Sequence, residues 1–365
     1  FENKFHWNKL ITLVQDTELR DRKQFSMVTL VQDGVNGYMN EYATMDTGFD
    51  LGDFGYIGIG ASTWGLTFFP ELATFNNYDI SVFSFSGVTN VVGLASTALG
   101  DVVSIGTTIK EVPASTTTTI AKVPTSSRSA KLLVQLETVN DQYFYNELNL
   151  LYNGTNVREL QYGDLDNNTG AAGLSGFGTY HSYVSGSDIN VDFVPSVGTA
   201  VTSICTIIET SASNTGVGTT ALVVSNLSSY NTSITASATP SANVIASYTN
   251  PFACEYFIVT VSDTTNTEFE MFELGVLDSN FNDNFVKYAD LVTNAGLGTV
   301  GVVNDGNRVD VLYTPNANID VTVKAFGVSQ KNFDNISGIS SITLDDTVLF
   351  SYFGNYVGTA LDTKR

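Results

Sequence analysis

Basic side chains are scarce: 16 Lys and Arg stand against 37 Asp and Glu, a net charge of −21 over 365 residues. A nucleic-acid binder neutralises phosphates with Lys and Arg, so this balance excludes an extended phosphate-tracking surface. Only 15% of the residues are charged while 43% are hydrophobic, which excludes a disordered chain. No run of eighteen apolar residues occurs, so no segment is expected to insert into a membrane. Two His and two Cys leave little material for a zinc site. The chain opens at Phe1 without a Met or a signal-like apolar stretch, and reads as a processed product or a segment of something longer. What is abundant is Gly (31), Phe (23), Tyr (17) and a wealth of Ser, Thr and Asn, a β-rich composition. Between Thr210 and Cys254 no charged residue occurs.

The seven prolines expose a repeat. Pro113 and Pro124 recur as Pro240 and Pro251, while Pro70, Pro195 and Pro315 each close a short strand, in LTFFP, VDFVP and VLYTP. An offset of 126 matches Leu132–Leu136 to Ile258–Ser262, Glu147-Leu148 to Glu273-Leu274, and YGDL ending at Leu165 to YADL ending at Leu291. A weaker first copy places Arg22 opposite Arg128 and Asn40-Glu41 opposite Asn146-Glu147. These matches predict three tandem modules: 1–110, degenerate; 111–236, with linker strands; and 237–365, with a C-terminal tail. Leu148, Leu150 and Tyr152 alternate with Glu147 and Asn149, the pattern of a half-buried strand, and Asn153-Gly154 predicts a type I′ hairpin. Helical spacing over 282–296 is overruled by its repeat partner, which contains Gly163 and DNNTG. The expected fold is all-β, built of tandem antiparallel β-sandwich-like modules.

The stretch Thr116–Glu209 carries a Ser/Thr-rich lead, an RSAK strand start, a hairpin at NGT, a YG-containing strand and a terminal strand pair ending in VDFVP. In this order it resembles a repeat of large virion structural proteins, of tail or fibre type, from contractile-tailed phages of marine cyanobacteria. Ala253–Phe326 repeats the order with Cys254 opposite Arg128 and SNF replacing the NGT turn. The resemblance implies a virion component and brings no catalytic motif with it.

Candidate chemistry is thin. Glu41, Glu147 and Glu273 recur once per module, which predicts three separated strand charges, each meeting a cross-strand Arg or Lys, and not the paired acids of a glycosidase. Asp164, Asp166 and Asn168 have alternating oxygen spacing but lack the Gly and Glu of a Ca²⁺ loop, and with Asp46, Asp50 and Asp53 they read as turn residues. His6 and His181 belong to no triad motif. Cys205 and Cys254 are expected to be buried free thiols. The sequons at Asn153, Asn167, Asn226, Asn231 and Asn335 follow from composition, and under the phage reading they are unmodified.

No catalytic, cofactor-binding or metal residue is therefore expected, and no cofactor. The expected role is a non-enzymatic structural component of a virion (tail, fibre, neck or capsid-surface element) that assembles with copies of itself and other virion proteins. A homo-oligomer, a trimer or a ring, is expected through strand edges and the uncharged 210–254 segment, including Val223 and Val244. The alternative is a carbohydrate-binding adhesin or lectin-like protein that meets a host-surface glycan, with a glycosidase third.

Overall fold

Strands are the only regular elements among the described residues of this computed structural model, which are 5–32, 37–58, 64–71, 78–88, 96–99, 103–138, 142–166, 177–196, 198, 200–211, 218–221, 225–249, 252–263, 268–278, 284–304, 308–331 and 353–360. The chain is all-β. It runs through β1 (Phe5–Asp16), β2 (Lys23–Gln32), β3 (Gly37–Asp46), β4 (Gly52–Gly58), β5 (Trp64–Pro70) and β6 (Tyr78–Val88). A second group comprises β7 (Ser96–Leu99), β8 (Val103–Val112), β9 (Thr118–Pro124), β10 (Ser127–Thr138), β11 (Tyr143–Tyr152), β12 (Val157–Asp166), β13 (Gly178–Ser185), β14 (Asp188–Pro195) and β15 (Val201–Ser211). The third comprises β16 (Gly218–Ala221), β17 (Ser225–Ile234), β18 (Asn243–Thr249), β19 (Phe252–Asp263), β20 (Glu268–Leu277), β21 (Asn284–Val292), β22 (Gly298–Asn304), β23 (Arg308–Pro315) and β24 (Val321–Lys331), and β25 (Phe353–Ala360) comes last.

Each group folds into a larger and a smaller antiparallel sheet. The larger sheets run β25-β6-β1-β2-β3, β12-β11-β10-β15-β8-β7 and β16-β17-β24-β19-β20-β21; the smaller are β4-β5, β13-β14-β9 and β18-β23-β22. Pairing divides the chain differently from the boundaries read off the repeats. β7 and β8, which begin before residue 111, join the second large sheet; β17, expected as a linker strand, joins the third; and β25 crosses back to pair with β6 of the first. Thus β25 supplies to the first module the strand that β8 and β17 supply to the others. The uncharged 210–254 segment contributes β16, β17 and β18 to the third module, where Leu227, Ile234, Ile245 and Tyr248 are buried.

Alternate residues of the large sheets feed different cores. On β10, Leu132, Val134 and Leu136 pack toward the second module's small sheet with Val123, Val191 and Phe193. Leu133 points the other way and joins Ile11, Met27, Tyr145, Ile258, Met271 and Phe326 in a core shared by all three modules. Both faces are therefore dry, which explains the near-continuous apolar runs of β1, β10 and β19. It also corrects the half-buried reading of β11: all ten residues Tyr143–Tyr152 are buried, because the face expected to meet water meets the other two modules.

One further local reading changes. The Asn153-Gly154 hairpin spans four residues between β11 and β12, with only Gly154 at positive φ (96°), because the Asn153 side chain accepts hydrogen bonds from the amides of Thr155 and Asn156. The connection between β12 and β13 is eleven residues against five between β21 and β22, which accounts for the six residues by which Leu165 to Pro195 exceeds Leu291 to Pro315. Where helical spacing competed, β21 is a strand.

Candidate functional site at the junction of the three modules

Strand register defines the junction. Glu147 pairs with Leu133 and Tyr162, Glu273 with Ile258 and Tyr288, and Met27 with Ile11 and Tyr42. These are three versions of one place. Two residues before Ile11, Leu133 and Ile258 stand Lys9, Lys131 and Tyr256. Each place adjoins the same β-bulge, where the residue after the tyrosine takes the left-handed conformation: Ala43 (φ 50°), Gly163 (φ 68°) and Ala289 (φ 52°). The bulge inserts one extra residue opposite the partner strand and turns Tyr42, Tyr162 and Tyr288 toward the shared core.

Two lysines and two glutamates meet there, each with a side chain 0–1% exposed. Lys131 Nζ lies 2.6 Å from Glu147 Oε2 and 2.6 Å from Glu273 Oε1, so one ammonium bridges two modules. Lys9 Nζ donates to Glu147 Oε2 at 2.5 Å and lies 3.7 Å from Glu273 Oε2. The remaining carboxylate lone pairs are taken by phenols and an amide. Tyr42 and Tyr145 donate to Glu147 Oε1 at 2.7 and 3.1 Å; Tyr256 donates to Glu273 Oε2 at 2.5 Å; Tyr162 and Asn149 donate to Glu273 Oε1. The cluster is neutral in sum and its carboxylates are fully paired, the condition under which buried charge is tolerated.

Burial pushes the Glu147 carboxyl up, but Lys131 and Lys9 outweigh it and hold the group well below the usual carboxylate range. Burial pulls Lys131 down, and Glu147 and Glu273 more than reverse this. Desolvation, reinforced by the same carboxylates, raises Tyr42, Tyr145 and Tyr288, so these phenols remain protonated. Two carboxylates near one ammonium superficially suggest a glycosidase pair. A general acid needs a raised pKa and contact with substrate; Glu147 is lowered and sealed.

The expected separation of Glu41, Glu147 and Glu273 is therefore overturned for the last two, which share Lys131. Glu41 lies one position from the repeated tyrosine, Tyr42, and its Oε2 accepts the Phe54 amide at 3.0 Å. The sequence match aligns Asn40-Glu41 with β11, whereas the true counterpart strand is β12. Likewise β19 follows β10 at an offset of 125, not 126, since Ser129 and Cys254 face Leu151 and Leu277; Cys254 replaces Ser129 and not Arg128. Lys9, Lys131 and the tyrosines escaped the sequence reading. Their signal was the step Tyr-Ala, Tyr-Gly, Tyr-Ala at 42, 162 and 288.

The other candidates stay apart from this junction. Asp164 accepts from Asn146 and Gln161; Asp46 and Asp50 accept the amides of Gly48 and Gly52 two residues on; Asp53 is exposed. Asn168 lies outside the described residues, as do Val223 and the sequons at Asn167 and Asn335. His181 stacks on Tyr183 at 5.5 Å. Cys205 and Cys254 are free, buried in different cores, their thiols raised by burial. Among the described residues no three His, Cys, Asp or Glu are grouped to hold a metal ion. No family model, no curated protein and no solved structure matches this chain.

Proposed function

We propose that the protein is a non-enzymatic structural component of a phage virion, of tail, fibre, neck or capsid-surface type. The observation that supports this reading best is where the chemistry lies: the buried cluster of Lys9, Lys131, Glu147 and Glu273 is spent on joining three modules, with both carboxylates fully paired and all four side chains 0–1% exposed. The resemblance of Thr116–Glu209 to virion repeats names the setting. Its partners are other virion proteins and copies of itself. Mass spectrometry of purified cyanophage particles tests the proposal: a stoichiometric polypeptide is expected, and its absence from particles that encode it overturns the reading. A second reading, glycan binding, is favoured by exposed aromatic rings on the first module, Phe49 at 51% and Phe69 at 60%. Retention on a host-glycan surface that is lost in Phe69→Ala would support it.

A further inference from the structure

The β5 strand lacks something that its two counterparts have. β14 lies between β13 and β9, and β23 between β22 and β18, whereas β5 pairs with β4 alone among the described residues. The three are equivalent in register: Gly52 faces Pro70, Gly178 faces Pro195 and Gly298 faces Pro315. Leu66 and Phe68 therefore stand where the other modules have Val191 and Phe193, or Val311 and Tyr313. Those four are 0% exposed, while Leu66 and Phe68 are only partly buried and Phe69 is 60% exposed. Thr67 occupies the place of Asp192, which accepts a 2.6 Å hydrogen bond from Thr119 on β9. The Thr67 hydroxyl is buried without a hydrogen-bond partner among the described residues.

We propose that the free edge of β5 is a strand-acceptor site, filled by an antiparallel, seven-residue extended segment of another protein. The occupant's form follows from the two strands that fill the equivalent edges. TTIAKVP (β9) and NVIASYT (β18) are both seven residues long, place apolar side chains at their third and sixth positions into the module core, and contain no acid. Both also bulge at the third residue, Ile120 or Ile245. Main-chain pairing supplies affinity and the two apolar side chains supply specificity. Glu71, directly after β5, is exposed, and the chain carries −21, so a neutral or basic segment is selected. A second copy is disfavoured: the described segments of this pattern, β9 and β18, are already paired, and two such acidic molecules repel.

The chain itself provides the probe. β9 reaches β10 across Thr125 and Ser126 only, and Phe5 stands at the place of Ser127, since both precede the same register shift. Replacing residues 1–4 with TTIAKVPTS should lay a tethered strand on β5. Hydrogen exchange of the β5 amides is expected to slow at least tenfold in this variant, and in the unaltered chain with excess peptide TTIAKVP, but not with TTIPKVP. Unchanged β5 exchange in the tethered variant overturns the proposal. So does β5 exchange that is already as slow as that of β14 in the unaltered monomer, and protection that rises with protein concentration would assign the edge to a second copy. These outcomes concern the edge alone and are read independently of whether the chain is found in particles.

Discussion

Lys131 lies 2.6 Å from both glutamates, and Glu147 lies 2.5 and 2.6 Å from the two lysines, so the junction depends on both side chains. Removing one partner of a buried ion pair strands the other, at a cost of about 3–5 kcal/mol. Lys131→Met and Glu147→Gln should each lower stability in urea denaturation by about that amount. Lys9→Met combined with Glu147→Met should recover most of the loss, because the net charge of the cluster returns to zero and Met27 already occupies the corresponding place in the first module. The pH dependence has a definite sign. Glu147 is lowered, so its contribution is present above the unfolded carboxylate pKa and fades only as acid approaches its folded value; Lys131 is raised, so its contribution is lost only in strong base. Glu255 behaves oppositely. Burial pushes it up to about 8, partly offset by hydrogen bonds from Ser329 and Tyr230. The fold therefore favours its neutral form, and stability should decline as pH rises from the ordinary carboxylate range through about 8. Glu255→Gln should flatten that decline, which thermal melts at pH 5, 7 and 9 would detect; an unchanged slope would remove Glu255 as its cause.

At the level of elements, the repeated bulge and the repeated glycine are the devices that shape each sandwich. A Cβ on Gly52, Gly178 or Gly298 would lie 2.1–2.3 Å from the carbonyl oxygen of Phe69, Val194 or Thr314, so the backbone of the facing strand must shift. Gly178→Ala is expected to cost roughly 2 kcal/mol or more, measured by denaturant midpoint. At the bulge, Ala289→Gly should instead stabilise by about 0.5–1 kcal/mol, since it relieves a left-handed alanine while loosening the unfolded chain. Much of this was legible beforehand. Prolines 70, 195 and 315 do close equivalent strands, and Gly/Asn-rich punctuation separated the strands correctly. What escaped was the second face. Alternation on β11 shows that Leu148 and Leu150 face inward, but polarity at Glu147 and Asn149 looks the same whether it meets water or a lysine from another module. Nor can a repeat offset register a one-residue slip between β10 and β11 when the apolar runs on both are nearly unbroken.

For the molecule as a whole, closure is the consequence of β25. It places a C-terminal strand on β6, beside the chain's first strand, so the first and last segments share one sheet. Cross-module contacts complete the ring: Ser129 and Thr260 hydroxyls meet between the second and third modules, and the Gln330 side-chain amide donates to the Ile11 carbonyl, 2.6 Å away, between the third and first. A module removed from this setting loses far more than a boundary. Residues 96–211 alone would expose Leu133, Tyr143, Tyr145, Leu151 and Ile208 together with the charges of Lys131 and Glu147, all of which lie buried in the intact chain. Hydrophobic burial of about 25 cal/mol per Å² would be forfeited over that face, while the ions would regain water but lose their partners in other modules. The isolated 96–211 fragment is therefore expected not to persist as a folded monomer, either losing cooperative structure or associating through the exposed face. Circular dichroism melting with sedimentation velocity distinguishes these results from the opposing one: a monomeric fragment that melts as sharply as the full chain would show that each sandwich stands on its own core and that the shared junction is dispensable for folding.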